Sequence, residues 1–266
     1  MVRVLAYHSL TPHPGDPLGV APDMFRRQIL WLRDTGWQSL GLMDWVEMVE
    51  QGEAPTHRSC VVTFDDAYAD NLEIAAPILR ELGFSATVFA VTDSLADGRL
   101  REHGQPLPAA SSSRRSFTWK DAEEWCRLGF EIGSHTTTHR PLTGIDLRQR
   151  DDELRESRSL LQSRLGLDDL VICYPYGAVD GEVAEAARAV GYRGGVVTPR
   201  RAGVPVTPWT IHRVGIYGPD DLRRFRFKLG QIFPVLRKAR FLMRRQHARF
   251  ASDFGVPALA REAIDG

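Results

Sequence analysis

Cys60-Val61-Val62-Thr63-Phe64-Asp65-Asp66 reads as a buried β-strand that ends in two adjacent carboxylates. Side chains alternate faces along a strand, so neighbouring carboxylates serve one site only where the strand ends and the backbone turns. The plainer reading is that Asp65-Asp66 caps a following helix or sits in a turn. Similar apolar runs, rich in β-branched residues, recur at 2–7, 86–91, 130–133, 170–174, 194–198 and 211–216. Between them lie amphipathic stretches at 23–34, 71–82, 120–128, 147–165 and 181–190, several ending at a glycine able to cap a helix. Strands that alternate with helices imply parallel βα units, hence a barrel or a doubly wound sheet, and a barrel of about seven strands is the preferred arrangement. In such a barrel, polar residues at the carboxyl ends of strands are where chemistry is placed.

The composition sets the frame. The 266 residues are 43% hydrophobic and 26% charged, enough for one catalytic domain with a substantial core. Strand-like sequence begins at Val2, and no apolar run approaches the roughly 18 residues of a membrane span, so a cytoplasmic location is the expectation. Cys60, Cys126 and Cys173 each sit in an apolar segment, and their odd number suggests buried thiols rather than a disulfide framework. Residues 97–116 have no clear period and are rich in Gly, Pro and Ser, as mobile or functional loops are.

A second signal is Gly133-Ser134-His135-Thr136-Thr137-Thr138-His139, which follows a strand-like segment. If the chain turns helical after Ser134, His135 and His139 stand one turn apart on one face, where two imidazoles can share a metal ion; otherwise they are surface or capping histidines. With a carboxylate they leave one open position on a tetrahedral ion, as a catalytic zinc site requires, and the spare carboxylate can take a proton from an attacking water. A third element, Val171-Ile172-Cys173-Tyr174-Pro175-Tyr176-Gly177, is a strand running into a tight polar turn. Such a turn can aim a backbone amide at an oxyanion and, through Tyr174, Pro175 and Tyr176, wall a sugar subsite.

Taken in order, Thr63-Phe64-Asp65-Asp66, Ser134-His135-Thr136-Thr137-Thr138-His139 and Tyr174-Pro175-Tyr176-Gly177 resemble the motifs of the polysaccharide deacetylase family, the NodB homology domain of carbohydrate esterase family 4. Leu5-Ala6-Tyr7-His8, Ala86-Thr87-Val88-Phe89 and His212-Arg213-Val214 extend the likeness over about residues 2–217. The resemblance implies a distorted, TIM-like (β/α)7 barrel as the catalytic domain at 1–218, to which the composition of residues 219–266 adds a basic, helical C-terminal extension. It implies Asp65 as general base and Asp66, His135 and His139 as ligands of Zn2+, or of Co2+, Ni2+ or Mn2+. It further implies a Tyr176 amide that stabilises the oxyanion and a Tyr176 ring at the sugar. The activity expected is removal of N-acetyl groups from an amino sugar in a polysaccharide, oligosaccharide or lipid-linked precursor. The rivals are removal of an N-formyl or O-acetyl group and a non-catalytic, glycan-binding role.

The chain departs from the family pattern at Ala67, where a glycine is usual, and at Cys173, where many members carry an arginine that holds the base. The late aspartate-tryptophan motif is not evident, Trp209 being at best its remnant, packed against the core. Two histidines are candidates for the catalytic acid: His8, at the end of the first strand, and His212, near the start of a late one.

Residues 222–250 hold ten Lys or Arg and no Asp or Glu, although the chain as a whole is neutral. They read as helices, interrupted at Pro234, that pack an apolar stripe on the barrel, or as a contact with an anionic inner membrane surface. No nucleic-acid partner is expected, because no reading module accompanies the charge.

Overall fold

The computed structural model describes residues 1–12, 16–107, 114–199, 205–230 and 233. In chain order its elements are β1 (Val2–Tyr7), α1 (Pro22–Asp34), β2 (Gln38–Ser39), α2 (Leu42–Gln51), β3 (Ser59–Phe64) and α3 (Ala76–Leu82), the last entered through a π-helical turn at Asn71–Ala75. Then come β4 (Thr87–Ala90), β5 (Arg101–Glu102), β6 (Gln105–Pro106), α4 (Trp119–Arg127), β7 (Glu131–Ser134), α5 (Leu147–Leu165), β8 (Val171–Cys173), α6 (Gly181–Val190), β9 (Gly194–Val197), β10 (Ile211–Gly215) and α7 (Leu222–Leu229).

β1, β3, β4, β7, β8, β9 and β10 are joined in parallel, in that order, and β10 pairs back with β1, so the sheet closes into a seven-stranded barrel. Closure follows from the register: β1 pairs along its whole length with β3 and, at Val4–Ala6, with Arg213–Gly215 of β10. Alternation along each strand divides the apolar residues between two cores. Val4, Val61, Phe89, Val171, Cys173, Val196 and Ile211 fill the interior, while Leu5, Val62, Val88, Ile172 and Val197 face the surrounding helices.

The helix α2 and the short β2 lie outside the expected set. Leu42 and Val46 of α2 join the interior cluster and plug the amino-terminal end of the barrel. The plug fits closely, since a Cβ on Gly194 would lie 2.9 Å from Val46. The start of α2 is satisfied by Glu131 at the foot of β7, whose carboxylate accepts hydrogen bonds from the Leu42 and Met43 amides at 3.0 and 3.4 Å. Part of the segment expected to be an unstructured loop, 97–116, forms the small antiparallel hairpin β5–β6.

Of the basic extension, α7 packs Phe225 edge-to-face on Trp31 of α1, ring centroids 6.0 Å apart, and Arg3 closes its end by donating to the Leu229 and Gly230 carbonyls. The expected helical segment beyond Pro234 lies outside the described residues. Trp209 is partly buried against the outer core, as expected. Among the described residues no helix is long and apolar enough to cross a membrane.

Candidate active site

The inward faces of the strands change character from one end of the barrel to the other. Val61 and Thr63 lead to Asp65, Val4 and Ala6 to His8, Ile211 to Arg213, and Gly133 to His135, so apolar residues give way to a polar cluster at the carboxyl end. Alternation that turns Arg213 inward turns His212 to the opposite face of β10. Of the two candidates for the catalytic acid, His8 is therefore brought to the cluster, its Nε2 standing 3.8 Å from Asp65 Oδ2, and His212 is directed away from it.

Asp66 stands between the two histidines in a group that could hold a metal ion. Its Oδ1 is 3.6 Å from His135 Nε2 and 3.5 Å from His139 Nε2. A tetrahedral ion with bonds of about 2.0–2.2 Å holds its ligand atoms roughly 3.3–3.6 Å apart, a spacing that both Asp66 distances match, and the three ligand atoms all lie within 4.8 Å of one another, as a group able to hold one divalent ion. The histidine tautomers suit that use. His135 Nδ1 lies 2.7 Å from the Cys173 carbonyl oxygen and His139 Nδ1 3.2 Å from the Tyr176 hydroxyl, which leaves both Nε2 atoms facing Asp66. Burial, reinforced by His139, lowers the His135 pKa to about 4 and keeps the ring in the neutral form a metal ligand needs. Asp65, His135 and Cys173 form another close set, but burial pushes the Cys173 thiol far above its ordinary value and Arg213 engages both oxygens of Asp65.

The histidine pair is not helical. Thr136 and His139 both adopt positive φ, 68° and 60°, and the resulting tight turn, rather than a turn of helix, brings the two rings to 4.8 Å. Glu153, reaching from α5, holds this turn: its carboxylate accepts from the Thr137 and Thr138 amides at 2.9 and 2.8 Å and from the Thr138 hydroxyl. Every non-glycine residue with positive φ among those described belongs to this region: Asp66, Ala67, Thr136, His139, Tyr176 and, on the β5–β6 hairpin, His103. Such conformations cost about 1–3 kcal/mol each and collect where a site demands them. Ala67, at φ 48°, occupies the position where the family pattern has glycine.

Asp65 is 5% exposed. Burial alone would raise its pKa, but the Arg213 guanidinium, through its charge and hydrogen bonds of 2.6 and 2.7 Å to the two oxygens, holds the carboxyl well below the usual range. Arg213 also donates to Thr63 Oγ1 at 3.0 Å and lies 3.0 Å from the Cys173 sulfur. Orientation of this carboxylate, which the cysteine at position 173 leaves unexplained in the sequence, thus comes from β10, which flanks β1 on the side away from β3. A charged residue in the middle of an otherwise apolar strand was the signal for Arg213; Glu153, on the inner face of an amphipathic helix, gave a weaker one.

The residues of the third motif separate. Tyr174 is 1% exposed and Pro175 is buried, so both belong to the core rather than to a sugar-binding wall. The Tyr174 hydroxyl fills the space that a side chain on Gly195 would need. Tyr176, half-buried at φ 58°, is the member that reaches the cluster, its ring 4.8 Å from that of His139.

The sequence profile described as polysaccharide deacetylase matches residues 52–195. YxkH of Bacillus subtilis (strain 168), itself named for this family, is 29% identical over 214 residues, 80% of this chain and 70% of its own. The poly-β-1,6-N-acetyl-D-glucosamine N-deacetylase of Escherichia coli K12 is 24% identical over 71% of this chain, which spans only 32% of that longer protein. Among solved structures, the Streptococcus pyogenes deacetylase PplD in complex with acetate superposes with a TM-score of 0.73 at 22% identity, over 86% of this chain and 98% of that one. With the profile covering more than half of the sequence and the seven-stranded barrel shared, the chain belongs to the polysaccharide deacetylase family.

Proposed function

We propose that this protein is a metal-dependent de-N-acetylase that hydrolyses the acetamide of an amino sugar in a glycan or glycan precursor, releasing acetate and a free amine. The observation that carries the reading is the meeting of Asp66 Oδ1 with both His135 Nε2 and His139 Nε2, beside a second carboxylate held by its own arginine. Zinc suits two imidazoles and a carboxylate, and cobalt, nickel or manganese can take the same donors. A divalent ion bound there supplies Lewis acidity, lowering the pKa of a water and polarising the acyl oxygen.

The protein's own groups supply the proton movements. Asp65 accepts a proton from the water as its oxygen bonds to the acyl carbon. His8, 3.8 Å away, is the group placed to deliver a proton to the amine as the C–N bond breaks. The Tyr176 amide stabilises the oxyanion, and the Tyr176 ring borders the sugar.

Relatives named for poly-β-1,6-N-acetyl-D-glucosamine make oligomers of N-acetylglucosamine the first substrates to assay. A panel pairing them with N-formyl and O-acetyl sugars tests the acyl group. Acetate release from the N-acetyl members supports the reading, whereas turnover confined to formyl or O-acetyl substrates replaces it with the rival activity. No release of any acid by metal-loaded protein favours a glycan-binding role.

The reading extends to peripheral contact of residues 222–250 with an anionic membrane surface, suited to a lipid-linked substrate and a cytoplasmic location. What supports it is the charge of the segment and the exposure of Phe227, 52%, beside Arg223, Arg224 and Arg226 on α7.

A further inference from the structure

Two imidazoles face the same ion site, and their outer nitrogens are held differently. His135 is almost fully buried, and its Nδ1 meets a main-chain carbonyl, that of Cys173, fixed by the barrel itself. The Nδ1 of His139 meets only a side chain, the Tyr176 hydroxyl at 3.2 Å, and that hydroxyl lies 2.8 Å from Glu102 Oε1. The direction of this chain is fixed by chemistry. A neutral imidazole that gives its Nε2 lone pair to an ion carries its proton on Nδ1. The His139 Nδ1–H therefore donates to the Tyr176 oxygen, and the Tyr176 O–H donates to the Glu102 carboxylate. Reversing the His139–Tyr176 bond would place the proton on Nε2 and remove the ligand.

Glu102 comes from an element apart from the barrel. It lies on β5 of the hairpin, whose turn, His103-Gly104, has both residues at positive φ (52° and 78°), as a two-residue hairpin turn requires. The hairpin is docked on the loop that carries the histidine pair: the Gly104 amide donates to the Thr138 carbonyl at 2.8 Å, Arg140 reaches the His103 carbonyl at 3.4 Å, and the His103 ring meets Tyr176 edge-on at 5.8 Å. Each contact fixes the hairpin relative to Tyr176 or to a residue beside His139.

We infer that the β5–β6 hairpin is an outer support of the metal centre, with Glu102 acting through the Tyr176 hydroxyl as a positioning residue for the ligand His139. The inference rests on the metal-dependent reading above and adds to it an element that tunes affinity for the ion. Groups that hold a ligating histidine from outside are typically worth about 10–100-fold in metal affinity. Tyr176, in direct contact with the ring, is expected near the lower end of that range, and the solvent-exposed Glu102 below it, at about three- to tenfold.

The test is the Zn2+ dissociation constant of the full chain, measured by competition with a chromogenic chelator, for the wild type, Tyr176→Phe, Glu102→Ala, Glu102→Gln and the Tyr176→Phe/Glu102→Ala pair. Thermal unfolding of each apoprotein confirms that the variants fold. Tyr176→Phe is expected to weaken binding about tenfold and Glu102→Ala several-fold. The double variant should bind no more weakly than Tyr176→Phe alone, because Glu102 has no route to His139 once the hydroxyl is gone. Glu102→Gln, which still accepts the Tyr176 proton, should stay closer to wild type than Glu102→Ala. Unchanged affinity in both single variants overturns the inference. So do losses that add in the double variant, which would mean that Glu102 acts by charge alone. A wild-type chain that binds no ion overturns the functional reading together with it, whereas acetate release by Zn2+-loaded protein with unaltered variant affinities overturns the inference alone.

Discussion

Glu153 shows how much of the site depends on one buried side chain. It is 7% exposed and accepts from two backbone amides and a hydroxyl of the turn between His135 and His139. Glu153→Ala leaves those donors buried without a partner, at a cost of about 2–3 kcal/mol. Denaturant unfolding is expected to register that loss, and a weaker Zn2+ affinity should accompany it because His139 loses its fixed turn. The cysteines behave oppositely. Burial pushes the Cys60 thiol up to about 12 and Cys126 to about 11, and raises Cys173 well above its ordinary value. Raised values keep all three protonated at pH 8, where only the thiolate reacts. Iodoacetamide is therefore expected to leave the folded protein unmodified at that pH and to label three cysteines after unfolding; rapid labelling of the native chain would contradict the packing around them.

At the scale of elements, the strands and most helices could be read from the sequence because their signal is local. The run at 147–165 and that at 181–190 coincide with α5 and α6, and the first strand with β1. The helix α2 was missed for a non-local reason. Its amino terminus is satisfied by Glu131, far along the chain, and its apolar face is buried in the mouth of a barrel that exists only once seven strands have closed. The histidine turn was misread as helical because neither Thr136 nor His139 announces a positive φ. Gly133 carries a sharper constraint. A Cβ there would lie 2.6 Å from the Phe89 ring and 2.7 Å from the Val171 carbonyl oxygen. Gly133→Ala must therefore displace β4 or β8 at the level of the site, for about 1–3 kcal/mol of lost stability, measurable as a lowered thermal midpoint.

For the whole molecule, the residues proposed as ligands stand out in the sequence, whereas the contacts that support them do not. Asp66, His135 and His139 sit in short motifs whose residue types and spacing suggest a metal site, and the choice of Asp66 over Asp65 as ligand comes from the family resemblance. Arg213 holds Asp65, Glu153 holds the turn between the two histidines and Glu102 reaches Tyr176, each from a distant part of the chain, and only folding of the barrel brings them into contact. The same contrast separates His8 from His212. Each looked plausible as an acid, and the decision falls on which face of its strand points into the barrel. The basic extension belongs to this scale too. Flotation with vesicles containing anionic lipid is expected to carry the protein upward at low salt and to release it as salt screens the charge. No binding to such vesicles would remove the membrane contact without touching the catalytic site.

The most direct measurement is acetate release from N-acetylglucosamine oligomers as apoprotein is titrated with Zn2+, with bound metal determined at each point, for the wild type and Asp65→Asn. The expected result is release that rises with occupancy and saturates at one ion per chain, and an Asp65→Asn variant that binds the ion yet falls by at least about a hundredfold in rate. Release that is independent of bound metal, or an Asp65→Asn variant as fast as the wild type, would contradict the assignment of this cluster as a metal-dependent deacetylase centre.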